Sequence, residues 1–447
     1  MRVRHKYSET GSKFLKKNDT KYVVREDFLH YIWKHNLVAS THLATTQNEV
    51  VQVLHSGVHN HHSGPDFFNA QLIIGKQRWA GNIEIHSKSS DWYVHGHEKD
   101  SNYDTVILHV VWEHDIDIHR KDNSTIPTLE LKKYIDKTIL KNYQHLFSAS
   151  HKWINCENDL ASVDTFLVDN WLERLYIERL EQKSILIQNL LNISKNDWEA
   201  VLFKLLSKNF GLKVNGDAFL QLANSVDFAV IRKERHRLES IEALLFGQAG
   251  LLNDTIQDGY YKQLQKEYRY LQKKYHLTFI TKPQFQFFRL RPYNFPTVRL
   301  AQLAALLYCQ QNLFSKIMAV KSLKEFYALF DIAVSPYWKT HYSFTAVSKQ
   351  SSKKLTKPFI DLVIINTIAP LQFIYLHYTH EFNEEALLNS LREINPEKNA
   401  IINKFKKLHI IAENAMESQA LLQLKNTYCS KQKCLQCVIG NALVTTS

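Results

Sequence analysis

The 447-residue chain contains no run of about eighteen apolar residues, so no segment is expected to span a bilayer. Its first residues, Met1-Arg2-Val3-Arg4-His5-Lys6, are basic, but no apolar stretch follows as a secretory signal would require. Five cysteines in this length are too few for a disulfide framework. The His-Glu-x-x-His signature of helical zinc proteases is absent, and so is any fixed repeat period, which sets aside a standard metalloprotease and a regular solenoid. The cytoplasm is therefore the expected address, with no membrane partner.

What is present is the composition of a folded protein, with 45% apolar and 22% charged residues, in a length that suggests about two or three domains. Lys and Arg number 56 against 44 Asp and Glu, a net +12 that favours phosphate polymers or acidic surfaces as partners. The 22 His residues add charge below neutral pH.

Residues 1–23 are polar and basic and read as a mobile extension. Residues 24–150 read as an α/β module with a mixed sheet. Phe28, Leu29, Ile32 and Trp33 recur at helical spacing behind Glu26 and Asp27. A period of two then marks strands at 50–54, 67–74, 78–86 and 105–112, punctuated by Gly57, Gly64-Pro65, Gly75 and Gly81. Residues 160–420 read as a helical domain, with helical spacing at 198–210, 218–230, 238–245, 260–275, 298–313 and 384–391, and prolines between several of these. Residues 421–447 form a cysteine-containing segment expected to pack back on the first module.

The stretch Gly64-Pro65-Asp66-Phe67 and the later Gly81-Asn82-Ile83-Glu84-Ile85-His86 carry the clearest chemistry. Side chains two apart on a strand share a face, so Glu84 and His86 point one way while Ile83 and Ile85 point the other. An antiparallel neighbour brings Asp66 alongside. Two carboxylates and an imidazole at the centre of a sheet are expensive to bury unless they hold a metal or do chemistry. A hard cation on such carboxylates neutralises a phosphodiester and activates water, whereas the alternative is an exposed polar face on a one-sided sheet.

Pro65-Asp66 followed by Glu84-x-His86 resembles the PD-(D/E)XK nuclease signature, whose last position is normally basic. The chain from residue 24 onward also resembles an uncharacterised bacterial family of unknown function, through Gly64-Pro65-Asp66-Phe67, Glu84-Ile85-His86, Ser90-Asp91-Trp92, His95-Gly96-His97, Arg291-Pro292-Tyr293-Asn294-Phe295-Pro296 and the segment Tyr428 to Gly440. The nuclease resemblance implies a restriction-endonuclease-like sheet, with Mg²⁺ or Mn²⁺ on Asp66, Glu84 and the Ile85 carbonyl. It also implies an accessory acid, Glu26, from the first helix. His86 stands where lysine is usual and would position or activate water. The implied activity is phosphodiester hydrolysis in nucleic acid, DNA before RNA. A non-catalytic nucleic-acid binder on the same scaffold is the alternative, favoured by the missing lysine, and protein partners cannot be read.

His95, His97 and Asp100 are candidate ligands for Zn²⁺ or Mn²⁺, which gives a third reading, a His-rich metallohydrolase of a small substrate. His59, His61 and His62 read as loop residues. Cys429-x4-Cys434-x2-Cys437 places three soft ligands within nine residues, with Cys156 the preferred fourth, for Zn²⁺ or an iron–sulfur cluster. Some PD-(D/E)XK nucleases carry a comparable four-cysteine staple, which the resemblance makes relevant. Cys309, within an apolar helical run, reads as a buried thiol. Arg232, Lys233 and Arg235, and Arg289, Arg291 and Arg299 among aromatics, are candidate phosphate contacts, with a solvated helix face as the alternative.

Overall fold

A computed structural model describes residues 24–38, 42–148, 152–278, 285–380 and 384–446; the expected extension at 1–23 lies outside them. The chain forms two compact units, Met1–Asp164 with Tyr428–Ser447, and Thr165–Thr427. The first carries a mixed sheet and the second is almost entirely helical.

The sheet unit opens with α1 (Glu26–Lys34), whose first turn is acidic and last turn basic, the arrangement its dipole favours. Its strands are β1 (Val51–His55), β2 (Val58–His59), β3 (Phe67–Ile74), β4 (Gln77–Lys88), β5 (Val106–Glu113) and β6 (Thr128–Glu130). The order is β1-β3-β4-β5-β6, with β2 also on β3. Pairings involving β3 are antiparallel, whereas β4–β5 and β5–β6 are parallel.

On β4 the expected alternation holds. Ile83 and Ile85 join the main core, where they meet Phe28, Leu29 and Ile32 of α1 and Tyr143 of the helix Lys137–Leu146. The Tyr143 ring stacks on Phe28 with centroids 3.9 Å apart. Glu84 and His86 are equally buried yet face a cleft rather than this core. A second, smaller cluster of Trp92, Tyr103, Val106, Ile118 and Ile126 sits beside that polar face.

Two local devices set the geometry at the start of β3 and β4. Phe67 pairs with Ile83 and Ala70 with Gly81, so Phe68 and Asn69 together oppose Asn82. This is a β-bulge, with Asn69 at φ +58 and its N–H donating to Asn82 Oδ1 at 3.2 Å. Gly81 lets β5 approach: a Cβ there would stand 2.4 Å from Ile107 Cγ2 and 2.7 Å from the Thr105 carbonyl oxygen.

In the helical unit a 29-residue helix, Thr165–Ile193, leads a series capped repeatedly by aspartate side chains at Asp197, Asp227 and Asp258. Two sequence expectations need correction. The helix expected over 218–230 is two, Leu212–Asn224 and Phe228–Glu234, because Asp227 caps a new start by accepting from the Ala229 N–H. The helix expected over 298–313 ends at Cys309, and Asn312 at φ +54 turns the chain into Leu313–Ala319. Cys309 is thus at an exposed helix end and not a buried thiol. One continuous helix, Lys357–Thr379, is long and apolar enough to cross a membrane by length and composition, but 67% of its most apolar stretch is buried inside the protein.

Gly81→Ala is expected to cost roughly 1–3 kcal/mol, since the neighbouring strand must shift to admit a methyl group. Urea denaturation measures it, and a variant as stable as the parent would show that the β4–β5 approach is not tight.

Candidate active site

Asp66, Glu84 and His86 line one open cleft of about 350 Å³, together with Glu26, His62, His95, His97, Asp100, Asn102 and Tyr103. Glu26 and His30 are one turn apart on α1 and so share a face. The short helix Asp91–Val94 and the 3-10 turn His97–Lys99 flank His95 and His97, and between them Gly96 at φ +73 reverses the backbone.

The polar contacts are close. Glu84 Oε2 accepts from the Asp66 N–H at 3.2 Å, and Asp66 Oδ2 accepts from the Ile85 N–H at 2.9 Å. Ile85, expected to offer its carbonyl, therefore contacts Asp66 through its amide. His30 Nε2 stands 3.2 Å from Asp66 Oδ2. Glu84 Oε1 lies 3.4 Å from His86 Nε2 and 3.3 Å from His97 Nε2. His97 Nε2 is buried and makes no hydrogen bond, so its closeness to that oxygen is not a donor–acceptor contact. Two ligands about 2.1 Å from one ion stand ~3.0–3.4 Å apart, which is the spacing seen here.

His86 is engaged at both nitrogens, by His109 Nε2 at 2.8 Å and by His95 Nδ1 at 3.0 Å. His86 thus links a fully buried imidazole to an exposed one. His86, His95 and His97 also bring one ring nitrogen each within 4.8 Å of one another.

Burial, and then the charge of Asp66, hold the Glu84 carboxyl well above the usual carboxylate range. Burial, then the neighbouring imidazoles His95 and His97, push His86 down to about 3. Burial lowers His97 as well and takes His109 far below its ordinary value. His30 differs: burial pulls it down, but the Asp66 carboxyl 3.2 Å away, with Glu26 and Glu84, outweighs that and the net shift is upward. Burial and then Glu84 raise Tyr103 to about 12. The site thus combines neutral imidazoles with a carboxyl that resists ionising, the electrostatics of donors grouped to receive a cation.

Glu26 lines the cleft and its Oε1 is 3.4 Å from the Ser87 backbone nitrogen, while Asp100 lines it and caps the turn before Tyr103 through Asn102. Asp91 turns away to accept from the Lys88 N–H. His30, Asn102 and Tyr103 escaped the sequence reading, where only the Glu26–His30 spacing on α1 could have signalled one of them; His62, read as a loop residue, lines the cleft.

Of the candidate phosphate contacts, Arg299 is contradicted. It is buried, donates to Gln302 Oε1 and Asn294 Oδ1, and lies 3.8 Å over the Phe359 ring, so no polymer reaches it. Arg232 is exposed but pairs with Asp197 at 2.7 Å. Arg235 is half-buried and reaches Asn312, while Lys233, Arg289 and Arg291 are exposed.

No curated protein and no solved structure matches the chain. Residues 26–400 match a protein family described as "Protein of unknown function (DUF2851)", a span that includes the whole cleft but stops short of Cys429, Cys434 and Cys437. The chain belongs to the DUF2851 family.

Proposed function

We propose that this chain is a metal-dependent phosphodiesterase, a nuclease acting on DNA, with Asp66, Glu84 and His97 as the ligands of a divalent cation. The carrying observation is the buried, unbonded His97 Nε2 at 3.3 Å from Glu84 Oε1, in the cleft that Asp66 also lines. A mixed carboxylate and imidazole set suits Mn²⁺ better than Mg²⁺. The ion supplies charge neutralisation on a phosphoryl oxygen and a more acidic bound water. The chain's own residues hold the ion, orient His95 through His86, and leave the cleft open to solvent on the His95 side.

The restriction-endonuclease-like reading of the sheet unit belongs to the same proposal. It is supported by an acid immediately before β3 and another on its antiparallel neighbour β4, a parallel strand next to β4, and Glu26 from the first helix. The proposed address is the cytoplasm, where a reducing environment suits five cysteines present as thiols.

Asp66→Asn and Glu84→Gln are each expected to lower Mn²⁺-dependent cleavage of DNA by at least about 100-fold with unchanged circular dichroism. Metal-dependent cleavage retained in both variants removes the assignment. Salt-dependent DNA binding without turnover in the parent would instead leave a non-catalytic binder.

Glu84 also gives a stability test. A carboxyl whose folded pKa is raised contributes fully below its unfolded value and loses that contribution as pH rises toward the folded one. In EDTA at pH 8, Glu84→Gln is therefore expected to melt at least about 2 °C above the parent, the two converging near pH 4. Added Mn²⁺ should raise the melting temperature of the parent and not that of Glu84→Gln. A variant that melts below the parent at pH 8 shows that the carboxyl is not strained by its burial.

One observation favours a second reading, a His-rich metallohydrolase of a small substrate: the convergence of His86, His95 and His97. It predicts stoichiometric Zn²⁺ lost in His95→Ala and His97→Ala, with hydrolysis of bis(p-nitrophenyl) phosphate and no activity on DNA. Cleavage of DNA surviving His95→Ala with metal retained rules it out.

A further inference from the structure

Four of the five cysteines belong to the sheet unit, although Cys156 and the group Cys429, Cys434 and Cys437 come from distant parts of the sequence. The fold brings Cys156 and Cys434 onto one core. Asn155 Nδ2 donates to Cys434 Sγ at 3.5 Å, so the residue before Cys156 touches the C-terminal group directly. Cys156 and Cys434 pack on the same core, beside Leu435, Leu443 and Val444.

The C-terminal group is tightly wound. Gln432 N–H donates to the Cys429 carbonyl and Lys433 N–H to that of Tyr428, with Gln432 at φ +53. Cys437 N–H donates to the Cys434 carbonyl at 3.1 Å. A Cβ on Gly440 would lie 2.1 Å from that same carbonyl oxygen, so only glycine lets the following turn close on Cys434. Cys437 occupies the N-cap of the helix Val438–Thr445, whose positive end favours a thiolate. Arg25, paired with Asp27 at 2.6 Å, reaches Gln432 Oε1 of the same turn at 3.4 Å.

We propose that Cys156, Cys429, Cys434 and Cys437 bind one metal centre with all-thiolate ligation, a zinc ion or an iron–sulfur cluster, which fastens the chain's last residues to the sheet unit. Four sulfur donors, carried by two segments of one unit, are the number that a closed structural site requires. Each thiol loses its proton to solvent and gives a sulfur lone pair to the metal, and no electron is transferred. The thiols are costly to ionise without a metal: burial raises Cys156, and the charges that Cys429, Cys437 and Cys434 would carry raise it further. Burial and then Cys437 raise Cys434 to about 11. This centre is independent of the carboxylate–imidazole cleft.

The test uses the full chain purified without oxygen. The expected result is ~1 zinc per chain, released in step with an added mercurial, or iron with equal acid-labile sulfide and a broad visible absorption. Cys156→Ser should hold less than about a tenth of that metal, whereas Cys309→Ser, in the other unit, and Asp66→Asn keep it in full. Should Cys156→Ser fail to fold, alkylation of the parent decides: four thiols protected until the mercurial is added support the centre. A parent with neither zinc nor iron, or with all five thiols alkylated at the rate of Cys309, overturns it.

Discussion

The sheet unit is organised around one buried carboxyl. Glu84 is only 5% exposed, yet it sits on the central strand β4 between two imidazoles, His86 and His97, and near a second acid. Taking a carboxylate out of water costs several kcal/mol unless opposite charge or donors compensate. The donors within reach are few: the Asp66 N–H and ring nitrogens that burial keeps neutral. The surrounding structure holds this arrangement open. α1 carries Glu26 and His30 to one edge, the bulge at Asn69 adjusts the strand that follows Asp66, and Gly96 turns the chain between His95 and His97. Each device adds a donor or an acid around the same small volume.

That centre was legible because strand periodicity is strict. Glu84 and His86 must share a face, and Ile83 and Ile85 must take the other, so a polar pair within an apolar run was visible from residues alone. Asp66 followed from an antiparallel neighbour, which β3 is. What stayed hidden depends on contacts that cross the sequence. Tyr103 stacks on His97 at 3.7 Å, and His109 reaches His86 only because β5 runs parallel to β4 in a register that sets it opposite Glu84. Arg299 misled for the converse reason. Arginine among aromatics is the pattern of a phosphate-binding face, but here the aromatic Phe359 and two amide oxygens enclose the guanidinium.

The two donor sets differ in hardness, and the difference matters for what each can do. Carboxylate and imidazole beside an open cleft are hard and borderline donors, whereas the sulfurs of the turn before the helix Val438–Thr445 are soft ones. The first set lies within the span shared with the DUF2851 family, and the cysteine turn lies beyond it. The helical unit contributes no group like His86, His95 and His97 among its described residues, and its continuous apolar helix Lys357–Thr379 is mostly core.

The hydrogen-bonded imidazoles separate the two catalytic readings further. His109 Nδ1 is buried with no partner among the described residues, and a buried N–H left without an acceptor costs more than an unfilled acceptor. The proton of His109 therefore belongs on Nε2, donating to His86 Nδ1 at 2.8 Å. His86 must then carry its own proton on Nε2 and donate to His95 Nδ1 at 3.0 Å, with Glu84 Oε1 also in reach. His95 is left with its proton on Nε2, a nitrogen that donates and cannot ligate. Placing a metal on His95 Nε2 would reverse both bonds and strand a proton on His109 Nδ1. His97 has no such obligation, since its Nε2 is unbonded beside Glu84. The geometry thus separates His97, whose buried Nε2 is unbonded, from a hydrogen-bonded chain of imidazoles that surfaces at His95. That division favours a carboxylate-bound ion over a three-histidine centre.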